Sequence, residues 1–262
     1  AREAFRLEQL RYDTRGEGKG FIQGEAKHRL GVETGIIGSI NYDISHIGFT
    51  KSPSETINYV NSHDDLIIYD KIKKTLPHMS EVDIVRLNKF AFSIIFTAQG
   101  IPFFHGGNEF LRTKYLLPNT YNSPISINAI DWSLKEKNLE FYNYFKSLIQ
   151  LRKKYKEFRL VDEKLIRDKL KFVHNSDGEN VISFTLSTDD GYLLIIHNGE
   201  FYSIELKKEN INIHLKNHYG EISTDFSIYP IFDESGFVED DHACASQWYV
   251  PYFQTNVYEI KK

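Results

Sequence analysis

The sequence predicts a chain in two parts, α/β over residues 1–157 and all-β over 158–262. Three observations carry that reading. Before residue 157, long helical patterns separate short apolar runs, in the order strand, helix, strand, helix. After it, short β-rich runs alternate with turn residues. Between them composition shifts without a repeat or a low-complexity tract.

Bulk properties narrow the function. The 262 residues carry 32 Lys and Arg against 36 Asp and Glu, a net charge of −4, with 41% hydrophobic and 26% charged residues. That is the profile of a soluble globular protein. It argues against a nucleic-acid partner, which selects a basic surplus. The single cysteine, Cys244, excludes an intrachain disulfide and a thiolate zinc site, and leaves the redox compartment open. No membrane association is expected: the most apolar stretch, Phe90 to Phe104, is interrupted by Ser93, Thr97, Gln99, Gly100 and Pro102. The opening residues hold no apolar signal core, so localisation, cytoplasmic or secreted, stays open.

Residues 1–12 read as a short helix, followed by the glycine-rich polar loop RGEGKGFIQGEAKHRLG. Its glycines follow no apolar strand and lack phosphate-loop spacing, which argues against nucleotide binding. Residues 57–60 form a β-branched and aromatic run that ends in Asn61-Ser62-His63-Asp64-Asp65. Ser80 fits an N-cap, with Glu81 and Asp83 in the first turn, where the helix dipole favours negative charge. Apolar residues at 84, 85, 87, 91, 94, 95 and 98 then have helical spacing, and Gly100 is expected to end the helix. Ile101-Pro102-Phe103-Phe104 reads as a buried strand closing in His105-Gly106-Gly107. Asp131-Trp132-Ser133 leads into a helix over about 138–155. Such βαβ units build parallel sheets whose ligands sit at the strand C-termini.

In the second part, residues 181–187, 192–198 and 201–206 read as strands of a small antiparallel β-sandwich. Asn198-Gly199 reads as a two-residue hairpin. Trp248, Tyr249, Tyr252 and Phe253 are expected in the sandwich core, and Lys71–Lys74 and Lys207-Lys208 on solvated faces.

His63-Asp64-Asp65 is the densest polar cluster at a strand end. Two carboxylates and an imidazole suit metal binding, acid–base work or hydrogen bonds to sugar hydroxyls. The alternative is that Asp64 and Asp65 cap a helical turn over 66–72. His105 lines the same cleft or is a core histidine. Tyr121 and Trp132 offer sugar-stacking rings, although core packing is the expectation for Trp132. His242 and Cys244 have no third or fourth ligand nearby, so no metal is expected.

The run SETINYVNSHDDLIIYDKI resembles the strand-seven signature of type I pullulanases, in the α-amylase superfamily (glycoside hydrolase family thirteen). AQGIPFFHGGNEFLRTK resembles the strand-eight segment of the same family, and NTYNSPISINAIDW its following loop. KGFIQG and GIIGSINY resemble an earlier loop, in family order and spacing. The resemblance implies a partial (β/α)8 barrel, C-terminal strands only, in residues 1–157, followed by the C-terminal β-sandwich in 158–262. It also implies a retaining α-1,6-glucan debranching hydrolase acting on pullulan, glycogen or starch. Asp64 matches the transition-state-stabilising aspartate and His63 the neighbouring sugar-binding histidine. Glu109, Arg112, Asn122 and Asn128 match further positions lining the family's cleft, and Asp65, beside Asp64, is expected to bind substrate with them. Three residues depart from the pattern: Asp65 stands where Asn is usual, Asn108 where Glu is usual, and Ile125 where Asp is usual.

A full barrel takes about 250 residues, and nothing before residue 57 resembles the nucleophile or acid–base motifs. The chain alone is therefore expected to be inactive, with barrel-facing apolar surface exposed or covered by the missing N-terminal part of the enzyme. No cofactor is expected. Calcium occurs in the superfamily, but no acidic loop here has a calcium spacing. A non-catalytic α-glucan-binding protein, a relic of a truncated gene and a metal-dependent phosphohydrolase built on His63-Asp64 are the competing readings.

Overall fold

The computed structural model describes residues 16, 18–173, 178–220, 226–238 and 248–261; the helix expected over 1–12 and the pair His242 and Cys244 lie outside them. Two short 3-10 turns lead into helix α1, Arg29–Ile36. Strand β1, Ile57–Asn58, precedes α2, Ile68–Thr75, and α3, Glu81–Thr97. Strand β2, Ile101–Pro102, pairs with β1 in parallel. Both strands are shorter than the apolar runs that announce them. Their contact is made by Ile101 N–H to the Thr56 carbonyl (3.0 Å) and Phe103 N–H to the Asn58 carbonyl (2.8 Å). Pro102 stands between those donors, so its missing N–H falls on the other edge of the strand.

Helix α3 starts as its sequence dictates, with Ser80 Oγ accepting from the Asp83 N–H at 3.1 Å. Its last turn closes at Thr97, and Ala98 is already extended. Gly100, expected to end the helix, lies beyond it at φ +99°, where a Cβ would come within 2.2 Å of Thr56 Oγ1. The orphan carbonyls at this end are met by Arg152. Its Nη1 donates to Phe96 O (2.8 Å) and Ala98 O (2.7 Å), and its Nη2 to Gly100 O (2.7 Å). Arg152 projects from α6, Leu139–Lys154, which follows the short helices α4, Ile125–Asn128, and α5, Ser133–Lys137.

Helix α7, Glu163–Lys169, is N-capped by Asp162 and leads into strands β3, Leu170–Val173, β4, Val181–Ser187, and β5, Gly191–Asn198. After β6, Ile204–Leu206, come α8, Lys208–Tyr219, β7, Ser227–Asp233, and β8, Gly236–Phe237. Strands β9, Trp248–Val250, and β10, Gln254–Lys261, complete the described fold. Six strands form one antiparallel sheet in the order β3-β4-β5-β10-β7-β8, and β6 pairs with β9 as a separate ribbon.

The sheet is buried on both faces. Ile182, Phe184, Leu186, Leu193, Ile195 and Val257 join Phe90, Phe92, Phe145 and Leu148 of α3 and α6 in one core. The alternate residues Leu194, Ile196, Tyr258 and Ile260 pack with Ile204, Leu206, Ile211, Leu215 and Val250 in a second. One core therefore runs across residue 157. The layer opposite α3 and α6 is α8 with the β6–β9 ribbon, where a second full sheet of a sandwich was expected.

Other expectations need correction. Asn198-Gly199 closes no hairpin, because β5 pairs with β4 and β10, while β6 pairs with β9. Lys71, expected on a solvated face, is fully buried, its Nζ donating to the carbonyls of Gly16 (2.9 Å) and Gly18 (2.7 Å). Exposed Lys207 stands in the cap position of helix α8. Its Ile-Asn-Ile-His-Leu run alternates like a strand, yet the helix buries Ile211 and Leu215 and leaves Ile213 exposed. Trp132 is 66% exposed, resting on Phe110 at 5.6 Å between ring centroids, and is no core residue. Tyr249 is exposed too, opposite Glu205 on the outer face of the ribbon, whereas Phe253 is buried.

Candidate functional site

Because β1 and β2 are parallel, the segments that follow them, 59–67 and 103–107, leave the same edge. His63 and Asp64 lie in the first of these, on no helix and exposed, with His63 Nε2 3.3 Å from Asp64 Oδ2. Neither Asp64 nor Asp65 caps α2. That helix begins at Ile68 with Ile67 in the cap position, and Ile68 N–H donates to Asn61 Oδ1 at 3.1 Å.

Asn61 also joins the two strand-end segments. Asn108 Nδ2 donates to Asn61 Oδ1 (3.1 Å), and Asn108 Oδ1 accepts from His105 N–H (2.9 Å). Asn108, at a position departing from the family pattern, is thus a buried tie between loops. Lys114 makes the second link: its Nζ donates to the His63 carbonyl (3.1 Å) and to Thr120 Oγ1 (2.9 Å). Thr120 Oγ1 passes its hydrogen to Asn128 Oδ1 (2.7 Å), and Asn128 Nδ2 donates to Thr120 O (2.7 Å) and Ser123 O (3.3 Å). Arg112 donates to Gly106 O (3.0 Å) and to the Asn128 carbonyl. Glu109 Oε2 accepts from Gly107 N–H (2.8 Å). Arg112 and Asn128 therefore hold backbone, while Asn122 is exposed on the same loop.

The buried charges beneath His63 and Asp64 are mostly cationic. Lys114 is 4% exposed; burial, then Arg112, pulls its pKa down, against the pull of Asp64 and Asp70. Burial, followed by Arg112, Lys114 and His63, pushes the His105 pKa down to about 4. Its imidazole is neutral at pH 7, and its buried Nδ1 has no hydrogen-bond partner. Asp70 lies below the loop, accepting from Thr113 Oγ1 (2.5 Å) and Lys114 N–H (2.6 Å). Burial raises its pKa in spite of these donors.

The loop itself is strained. Asp65, Leu111, Tyr115, Leu116 and Asn119 all take positive φ, between 51° and 63°. Side chains tolerate that region poorly, and such strain persists only where surroundings enforce it. Gly107, at φ +98°, is required by contact: a Cβ there would lie 2.7 Å from Arg112 Cβ. The arrangement presents one carboxylate and one imidazole to solvent on a fixed backbone, an open shelf rather than a closed cavity. Depressions of about 510 and 530 Å³ lie elsewhere on the surface. Among the described residues no three His, Cys, Asp or Glu side chains gather closely enough to hold a metal. No described helix is long and apolar enough to cross a membrane.

No family model matches the chain. Pullulanase from Bacillus subtilis is 32% identical over 226 residues, 84% of this chain and 29% of that protein. The solved structure of type I pullulanase from the same organism, complexed with maltose, superposes with a TM-score of 0.85 at 28% identity over 98% of this chain and 35% of that one. The chain is a relative of the type I pullulanases, matching their C-terminal region. It spans about a third of the length of the pullulanases it matches. Pullulanase from Anoxybacillus sp. LM18-11, complexed with maltotetraose, superposes with a TM-score of 0.78 at 26% identity, covering 96% of this chain and 34% of that one. The pullulanase match thus takes in the strand pair, the loops after it and the C-terminal sheet together.

Sequence reasoning did not single out Asn61, Asp70, Lys114 or Thr120. The available signal was a lysine and an aspartate inside otherwise apolar or turn-rich pullulanase motifs.

Proposed function

We propose that this chain supplies the C-terminal part of the active cleft of an α-1,6-glucan debranching hydrolase, acting on pullulan, glycogen or starch. The observation that carries the reading is the exposed His63–Asp64 pair at a strand end, its backbone pinned by buried Lys114. In a retaining glycosidase the transition state is oxocarbenium-like. Asp64 accepts hydrogen bonds from hydroxyls of the distorted sugar, and these strengthen as positive charge develops on the ring. His63 holds the same unit. Asp65 and Asn122 border it, while Glu109, Arg112 and Asn128 shape the loop that faces it. The substrate class is consistent with the maltose and maltotetraose in the solved pullulanases.

β1 and β2 then act as the last two strands of a (β/α)8 barrel, with residues 1–157 as barrel and 158–262 as a C-terminal β-domain. Ile57, Ile101 and Phe103 are each more than 40% exposed, unusual for parallel strands, which are normally covered on both faces. The partner for that surface is the remainder of the barrel. It also brings the nucleophile and the general acid, so this chain alone does not hydrolyse pullulan.

Two measurements test the proposal. Calorimetric titration with maltotetraose should resolve a binding component that Asp64→Ala removes; heats identical in the wild type and Asp64→Ala, or no heat at millimolar ligand, sink the reading. Adding a polypeptide carrying the earlier strands should release reducing sugar from pullulan, again dependent on Asp64. Binding without restored hydrolysis would favour a non-catalytic glucan-binding protein.

A further inference from the structure

A depression of about 530 Å³ lies between the turn before α1, the residues before β4 and the loop after β5. It shares no residue with the strand-end site. Its wall is made by Gly24, Ala26, Arg29, Glu179, Glu200 and Tyr202, over Asn180. We propose that it is a second saccharide site, in which the ring of Tyr202 stacks on a glucose unit of a short α-glucan. The choice of ligand rests on the glucan reading above; the existence of a site does not.

The walls are built to stay in place. The Asn198 Nδ2 donates to the carbonyls of Tyr202 (2.9 Å), Val250 (2.9 Å) and Pro251 (3.0 Å), and its Oδ1 accepts from Glu200 N–H (3.0 Å). Asn180 does the same for the facing wall: its Nδ2 donates to Phe21 O (3.1 Å) and Gly199 O (2.6 Å), and its N–H to Glu200 Oε1 (2.9 Å). Gly199 is demanded by this packing, since a Cβ would sit 2.3 Å from Asn180 Nδ2. The loop that carries Phe201 and Tyr202 is thereby fixed, yet it holds those rings 60% and 54% exposed. Phe201 packs edge-on against buried Phe253, 4.9 Å between ring centroids, and so anchors the loop, which holds the ring of Tyr202 at the edge of the depression as a preorganised binding surface.

The polar groups select the ligand. Arg29 spends its Nε on Glu33 Oε1 (2.8 Å), which leaves its outer nitrogens as donors. Glu179 and Glu200 offer acceptors. Two carboxylates against one guanidinium repel phosphate and carboxylate ligands, and the polar lining repels a purely apolar one. A neutral polyol with one apolar ring face satisfies these features. The volume also falls in the range of about 300–1,000 Å³ typical of small-ligand sites.

The test follows backbone amide NMR shifts of the full chain during titration with maltotriose. Saturable shifts are expected at residues 26–29 and 199–203. Tyr202→Ala should weaken them about tenfold or more, and Tyr202→Phe should preserve them. Asp64→Ala should leave them unchanged, so they survive even if the strand-end reading fails. No shift at these residues up to tens of millimolar maltotriose overturns the proposal, as does equal affinity in Tyr202→Ala. An equal response to a β-linked trisaccharide would overturn the assignment to α-glucan.

Discussion

Acid should unfold this protein through a histidine outside the strand-end site. His197 lies on β5, wholly buried between Thr255 Oγ1, 2.7 Å from its Nδ1, and Thr97 Oγ1 of α3, 3.2 Å from its Nε2. Burial pushes its pKa from 6.5 down to about 3. Between those values the unfolded chain binds a proton that the native state refuses, so native stability falls as pH drops and is free of this penalty above about 6.5. The slope is about 1.4 kcal/mol per pH unit. At pH near 4.5 the loss reaches about 2.7 kcal/mol, against a usual total of about 5–15 kcal/mol. His105, held down to about 4, adds to it with the same sign. Urea unfolding across this range should show a steeper pH slope in the wild type than in His197→Gln, whose amide retains a donor and an acceptor for the two threonines. Parallel slopes, or an imidazole resonance of His197 titrating near its ordinary value, would refute the reasoning.

Four other changes probe the scaffold. Lys114→Met removes the donor to the His63 carbonyl and to Thr120 Oγ1, which keeps its bond to Asn128 Oδ1, at a cost of about 1–3 kcal/mol in all; calorimetry should show weaker maltotetraose binding although His63 and Asp64 are untouched. Gly107→Ala forces a Cβ against Arg112 at a positive φ, and thermal denaturation should report a loss of about 2 kcal/mol or more. Ser80→Ala removes the α3 cap, for about 1 kcal/mol by urea unfolding. His46 sits between Glu33 Oε2 (3.1 Å) and Asp43 Oδ1 (2.9 Å); burial alone would lower its pKa, but those hydrogen bonds outweigh it and raise it. Its contribution is therefore complete below pH 6.5 and lost as pH rises through the raised value, so hydrogen exchange in residues 41–50 should quicken at alkaline pH in the wild type and show no such step in His46→Gln.

What the sequence made legible is set by the range of each signal. The N-cap of α3 and the apolar runs of β4 and β5 depend on residues a few positions apart, and they read correctly. Asn198-Gly199 has the right local chemistry for a hairpin, but Asn198 is recruited by carbonyls at 250 and 251, more than fifty residues away, and the turn never forms. The same limit applies at the site. Ordered motifs bring 61–65 beside 105–114. The physical tie between them, an amide of Asn108 on Asn61 and an ammonium of Lys114 on a backbone carbonyl, has no periodicity to betray it.

The strand pair that carries His63 and Asp64 is too short to stand alone, since two residues per strand bury little and a two-stranded ladder is marginal in water. Its position is imposed from the C-terminal side. Asn58 Nδ2 donates to the Gln99 carbonyl (2.6 Å), while Gln99 is gripped through its own side chain by Glu157 O (2.8 Å) and Leu160 N–H (2.8 Å). Arg152 holds the adjoining carbonyls of 96, 98 and 100, and α6 is in turn packed on the six-stranded sheet through Phe145, Leu148 and Phe232. The sheet therefore acts as the abutment against which the strand ends are set. Cutting the chain near residue 157 would strip the apolar face of α3 and α6 and release Gln99, so Asp64 would lose its place even though every residue of its own loop was still present.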